Sequence, residues 1–208
     1  MFKINADGHP EFEPMRVNIL DEDLIEQIKE CMAEAPVVRS HINKGSNEET
    51  YVDIARNGDP DGQYTSILDD HLGRRDIRKS KNYVVTTAML DDINYEFEHK
   101  WADAGYKVID TNLLRYDEGD WLRPHSDTYV LDTDTGHTER KITTITMVNK
   151  APDLEGGELV VYPDRNDLSK SWVISLDIGE TCFFPSHLLH ECKEIKKGFR
   201  EVLVSWMA

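Results

Sequence analysis

KVIDTNLLRY (107–116), KITTITMV (141–148), GELVVY (157–162), SWVISL (171–176), ETCFFP (180–185) and REVLVSWM (200–207) fill most of the chain after Gly105. Each run is short, rich in β-branched and aromatic residues, and bounded by Gly, Pro or Asp, a combination that favours strands over helices. No helical segment alternates with them in the way a parallel sheet would require. The second half therefore predicts an all-β sandwich, barrel or jelly roll.

The first half reads differently. Over residues 21–35, Leu24, Ile25, Ile28 and Met32 recur at helical spacing, with Asp21 or Asp23 available as N-cap and acids in the first turn. Residues 84–104 repeat the pattern with Met89, Ile93, Phe97 and Trp101, and Gly105 stands in the C-cap position. Between them, residues 40–81 are mostly polar and carry the turn signal NGDPDGQ at 57–63. A long irregular segment of that kind reads as a lid or substrate-covering loop. The fold class is thus α+β, mainly β, as one domain over 1–208. Residues 1–105 supply helical support and covering loops, and 106–208 form the β core.

Composition narrows the partners. The chain has 208 residues, 39% of them hydrophobic and 9% aromatic, enough for a packed core. Forty acidic against 24 basic residues give a formal charge of -16, a field that repels polyphosphate, so nucleic acid is excluded as a partner. Cys31, Cys182 and Cys192 are odd in number and lack C-x-x-C spacing, which fits reduced cytoplasm rather than a disulfide framework. The N-terminal residues lack an apolar signal core and no run of about twenty apolar residues occurs, so neither export nor a membrane span is expected. No heptad pattern is present, and a monomer is expected.

The chemistry concentrates in YDEGDWLRPHSD (116–127), which ends in H-x-D, and in FFPSHLLHE (183–191) followed by GFREVLVSW (198–206). On a strand, residues i and i+2 face the same side, so His125 and Asp127 can reach one ion. A second imidazole completes a 2-His-1-carboxylate face with open coordination positions.

In order and spacing these blocks resemble the prolyl 4-hydroxylase-like branch of the 2-oxoglutarate/Fe(II) dioxygenase superfamily, whose pattern runs Y-x-x-G, H-x-D, G-G-E, F-x-P-x-x-x-x-H and G-x-R/K. Tyr116 and Gly119, then His125 and Asp127, then the Gly156-Gly157-Glu158 turn, then His190 and Arg200 match it in turn. The resemblance covers roughly the C-terminal half and implies a double-stranded β-helix, jelly-roll or cupin-like, buttressed by the N-terminal helices. It implies that His125, Asp127 and His190 hold Fe(II), with 2-oxoglutarate and O2 as cosubstrates and ascorbate as reductant. The implied reaction couples decarboxylation of 2-oxoglutarate to succinate with hydroxylation of a peptidyl proline.

The implied ligand His190 has a rival in His187, three residues earlier, which reads as a rim histidine. A strand starting here would send His190 and Cys192 inward and Glu191 and Lys193 outward. Arg200 is implied as the receptor for the far carboxylate of 2-oxoglutarate, a group that is costly to bury unpaired and that a guanidinium binds with two parallel hydrogen bonds. Tyr116 is implied as a second donor to that carboxylate. Thr143 is a candidate for lining the cosubstrate pocket, and Trp121 and Arg140 are candidate substrate contacts.

Two departures from collagen-type prolyl hydroxylases bear on substrate: arginine rather than lysine at Arg200, and Leu122 where an aromatic residue is common. They keep open hydroxylation of a free amino acid or other small molecule. A third reading, from a different class, is a non-catalytic jelly-roll binding module.

Overall fold

The computed structural model describes residues 3–4, 6, 9–39, 78–85, 87–101, 105–128, 130–133 and 136–208. The lid expected within 40–81 lies almost wholly outside the described residues.

Two antiparallel sheets face each other. The larger has seven strands in the order Met15–Asn18, Glu180–Pro185, Ile142–Lys150, Phe199–Met207, Val108–Asp117, Lys81–Tyr83 and Val37–Arg39. The smaller has five, in the order Trp172–Ile174, Leu159–Tyr162, Leu189–Cys192, Trp121–His125 and Arg78–Lys79. All six β runs read from the sequence are strands, as the β-branched pattern dictates.

One core lies between the sheets. Leu114, Ile145, Met147, Phe184, Val202 and Val204 of the larger sheet meet Leu159, Val161 and Cys192 of the smaller. A second core lies behind the larger sheet, where Leu113, Val148, Phe183 and Leu203 pack against Ile25, Ile28 and Met32 of the helix Glu22–Glu34 and against Ile93 and Phe97 of the helix Thr87–Trp101. Strands of the larger sheet are therefore apolar on both faces, which is why KITTITMV and REVLVSWM show little polar alternation.

The first helix starts where its cap dictates: Asp21 accepts the Leu24 backbone N–H at 2.8 Å, with Glu22 and Asp23 in the first turn. The second begins at Thr87, three residues later than the periodicity suggested, and the side chains of Met89 and Trp101 lie outside the described residues. Gly105 does take up positive φ, +77°.

A buried glutamate sets the inward and outward faces of the strand Phe199–Met207. Glu201 is 5% exposed and accepts hydrogen bonds from Tyr83 Oη, from Arg115 at 2.7 Å and from Asn149 at 2.9 Å. Turning this strand over would bury a carboxylate away from those donors, at heavy cost. Glu201 outward means Arg200 inward.

Phe97 is completely buried beneath the larger sheet. Phe97→Ala is expected to cost about 3–5 kcal/mol, read as a fall in the urea midpoint monitored by circular dichroism.

Candidate functional site

Three ligand-type side chains converge at one end of the space between the sheets. His125 ends the strand Trp121–His125, and His190 sits opposite it on Leu189–Cys192, the two residues being register partners. Asp127 lies just beyond the strand rather than on it, so shared strand parity is not what orients it. Its backbone N–H instead donates to Ser186 O at 2.9 Å, which carries the chain past His125 and turns the carboxylate inward.

One ligand atom from each of the three lies within 4.8 Å of the others. His125 Nε2 is 3.3 Å from Asp127 Oδ1, and His190 Nε2 is 3.3 Å from Asp127 Oδ2. Both imidazoles are oriented by their other nitrogen. Nδ1 of His125 faces Arg123 O at 2.9 Å, and Nδ1 of His190 faces Leu188 O at 3.1 Å. A carbonyl accepts, so Nδ1 carries the proton and Nε2 is left for a metal. Phe184 closes on the His190 ring at 4.7 Å.

Asp127 is positioned by residues that motif reading undervalued. Thr143 Oγ1 and Trp206 Nε1 both donate to Asp127 Oδ2, at 3.0 and 2.8 Å. With Oδ2 so engaged, Oδ1 is the oxygen available to an ion. Thr143 also shares a 2.9 Å hydrogen bond with the buried Ser186 hydroxyl. Trp206 and Ser186 were missed as site residues. Trp206 could have been found by strand parity, because it shares its inward face with Arg200, while Ser186 carried no signal beyond its place in the motif.

Burial would raise the Asp127 carboxyl, but the His190 charge and hydrogen bonds from both imidazoles outweigh it and hold the group well below the usual carboxylate range. For His190, burial acts to lower the value, and the Asp127 charge and hydrogen bond more than offset it, raising the imidazole above its ordinary value.

Arg200 lies inward beside Tyr116, its register partner on Val108–Asp117, with its guanidinium carbon 5.5 Å from the Tyr116 ring. It is 3% exposed, one terminal nitrogen donates to Gly157 O, and its Nε has no hydrogen-bond partner. Among the described residues no carboxylate pairs with it. It lines a cavity of about 440 Å³ with Met147, Gly157, Leu159 and Leu176. Gly157 has to be glycine here: its φ is +72°, and a Cβ would stand 2.3 Å from Ile195 Cδ1 and 3.2 Å from Arg200 Cδ.

The remaining candidates separate. Trp121 is half-buried, and its described contact is the Arg123 guanidinium at 4.9 Å rather than the His–Asp–His cluster. Arg140 lies over the Trp206 ring at 3.7 Å. His187 is outside the cluster, its ring 5.1 Å from that of His9 on the rim. His190 is the imidazole the fold brings to Asp127.

Residues 111–208 match the model of the 2OG-Fe(II) oxygenase superfamily, and that segment contains the whole cluster and Arg200. Over those residues the chain is similar to that superfamily. Curated relatives are PKHD-type hydroxylases. One from Idiomarina loihiensis is 24% identical over 149 residues, 71% of this chain and 65% of the relative. One from Caulobacter vibrioides is 35% identical over 102 residues, 48% and 43% respectively. One from Prochlorococcus marinus is 42% identical over 64 residues, 31% and 27%. The matched stretches thus span between 27% and 65% of these relatives' lengths.

Solved structures share the superfamily fold, the expected double-stranded β-helix. A 2OG-Fe(II) oxygenase family oxidoreductase from Burkholderia pseudomallei superposes with TM-score 0.62 at 12% identity, covering 94% of this chain and 84% of that one. The viral collagen prolyl hydroxylase of Paramecium bursaria Chlorella virus-1, in complex with 2OG, gives 0.56 at 14%, covering 93% and 94%. HygX from Streptomyces hygroscopicus, with nickel, 2-oxoglutarate and hygromycin B bound, gives 0.56 at 10%, covering 94% and 82%.

His190 predicts pH-dependent metal binding. A metal must displace the proton from His190 Nε2, and because that imidazole's value is raised above about 6.5, the proton persists to higher pH than on an ordinary histidine. Mn(II) affinity, measured by electron paramagnetic resonance, is expected to tighten from about pH 6 to about pH 8, by up to roughly tenfold per unit for each proton released. Affinity flat across that range would remove His190 from the ligand set.

Proposed function

We propose that this protein is an Fe(II)- and 2-oxoglutarate-dependent dioxygenase that hydroxylates peptidyl proline. In this reading residues 106–208 are the catalytic core and 1–105 support and cover it. The observation that carries the proposal is a partly buried His–Asp–His cluster in the same barrel as a buried arginine that, among the described residues, has no carboxylate partner.

The residues fit both groups. Two imidazole Nε2 atoms and one carboxylate oxygen form the donor set that suits non-haem Fe(II) with positions left open. The Arg200 guanidinium is buried and retains an unpaired Nε–H, so a dicarboxylate reaching it would gain a charge-assisted hydrogen bond and neutralise a buried cation. Tyr116, across the ladder, is placed to help hold the same carboxylate. Fe(II), 2-oxoglutarate and O2 supply the oxidation, with succinate and CO2 leaving as the substrate is hydroxylated. The chain's own tasks are to hold Asp127 through Thr143 and Trp206, to keep both imidazoles in the Nδ1–H tautomer, and to surround the site with Phe184, Val202 and Val204 so that water is excluded.

The prolyl assignment draws on the PKHD-type hydroxylase relatives and on the fold shared with a viral collagen prolyl hydroxylase. A cavity of about 550 Å³, lined by His9, Ser126, Thr128, Tyr162, Arg165 and His187, includes residues next in sequence to His125, Asp127 and His190 and is the candidate place for substrate. Trp121, at the start of the strand that ends in His125, is retained as a proposed substrate contact. The second reading, a small-molecule hydroxylase, is favoured by the equal fold similarity to HygX, which holds hygromycin B. The proposal includes ascorbate as reductant and a monomer acting in the cytoplasm, in keeping with three free cysteines. No described helix is long and apolar enough to cross a membrane.

Anaerobically purified protein, given Fe(II), 2-oxoglutarate, ascorbate and then oxygen, is expected to form succinate faster with a proline-rich peptide and to leave hydroxyproline in it. Succinate indifferent to peptide would favour the small-molecule reading, and none at all would leave a binding module. His125→Ala is expected to abolish turnover. Arg200→Ala and Gly157→Ala are both expected to raise the KM for 2-oxoglutarate at least tenfold, about 1.4 kcal/mol, the second by displacing Arg200. An unchanged KM in the Arg200 variant would take that residue out of the site.

A further inference from the structure

Trp206 occupies a particular place in the larger sheet. Across one ladder its register partner is Thr143, and across the other it is Asp110. Thr143 and Trp206 together hold Asp127 Oδ2. On the opposite side, Arg140 reaches over the indole with its guanidinium carbon 3.7 Å from the ring centroid and donates to Asp110 Oδ2 at 2.5 Å. The Arg140 side chain is only 14% exposed. A guanidinium stretched between a carboxylate and an aromatic face is fixed at both ends, and here the indole lies under the bridge.

The physical consequence runs one way along the chain of contacts. The Trp206 indole is 8% exposed and packed in the core between the sheets, which with its edge hydrogen bond still leaves small tilts about its two side-chain bonds. A cation over the face removes that freedom and polarises the ring, which strengthens the N–H as a donor. The strengthened, fixed N–H in turn pins Oδ2 of Asp127, so that Oδ1 keeps one orientation.

We propose that Arg140 is a positioning residue for the metal site: anchored by Asp110, it clamps the Trp206 indole, which holds the Asp127 carboxylate in its ligating orientation. This differs from a role in contacting substrate, for which Arg140 was a candidate on the sequence. The inference rests on the iron reading above, since it needs Asp127 to be a ligand.

The test measures Mn(II) affinity of the full chain in the absence of 2-oxoglutarate and substrate, by titration calorimetry. Arg140→Met keeps side-chain length and removes the charge, and is expected to weaken Mn(II) about tenfold, in the range usual for loss of a group that orients a ligand. Trp206→Phe is expected to weaken it at least as much. The double variant should bind no worse than Trp206→Phe alone, because both act along one path. Asp110→Asn, at a partly exposed position, should give a smaller loss in the same direction and covers the case in which Arg140→Met does not fold. As a spectroscopic check, the Co(II) ligand-field bands should shift in Arg140→Met and be restored in part by Arg140→Lys.

Unchanged Mn(II) affinity in both Arg140→Met and Asp110→Asn, with Trp206→Phe weakened, would overturn the inference and leave the iron reading standing. Fully additive losses in the double variant would overturn it as well. A wild-type chain that binds no Mn(II) would overturn the iron reading, and this inference with it.

Discussion

The site depends on the strand Phe199–Met207 being covered on both faces. Because side chains alternate along a strand, one decision about which way it faces places four residues at once. Glu201 makes that decision: among the described residues its buried carboxylate is met by Tyr83, Arg115 and Asn149 behind the sheet. With Glu201 outward, Arg200, Val202, Val204 and Trp206 all point into the space between the sheets. The proposed cosubstrate receptor, two apolar wall residues and the donor that holds Asp127 are thereby set on one line.

The second constraint is the balance of charge inside the barrel. Asp127 is buried between two imidazoles and two neutral donors, and Arg200 is buried with a backbone carbonyl for company. A lone buried cation is a standing cost to the fold. A dianionic ligand coming to meet it would offset that cost, and the absence of a Cβ at Gly157 leaves room for the Arg200 side chain and Ile195.

Much of this was legible beforehand, and for definable reasons. The six β runs and both helices follow from local propensity and period, which survive because the elements are long or strongly apolar on one face. His190 was distinguishable from His187 because a two-residue alternation begins at Leu189, and the structure keeps it: His190 and Cys192 are buried while Glu191 and Lys193 pair outside the barrel. Thr143 was expected to line the cosubstrate pocket; what the structure shows of its hydroxyl is a hydrogen bond to Asp127. The second helix was read as starting too early, since Val84 and Val85 are apolar whether they belong to a helix or to the chain leading into it.

What the sequence determined by itself was chemical: a mainly β chain, a His–Asp–His donor set at recognisable spacing, and an arginine on an apolar strand where a carboxylate receptor would stand. These are properties of residue type and short-range order. Only the tertiary structure decided which groups hold those residues in place. Ser186 and Trp206 meet Asp127, and Arg140 meets Trp206 over Asp110, through pairings between strands far apart in the chain. Register between distant strands is fixed by packing both faces of the sheet at once, and no local pattern in the sequence encodes it.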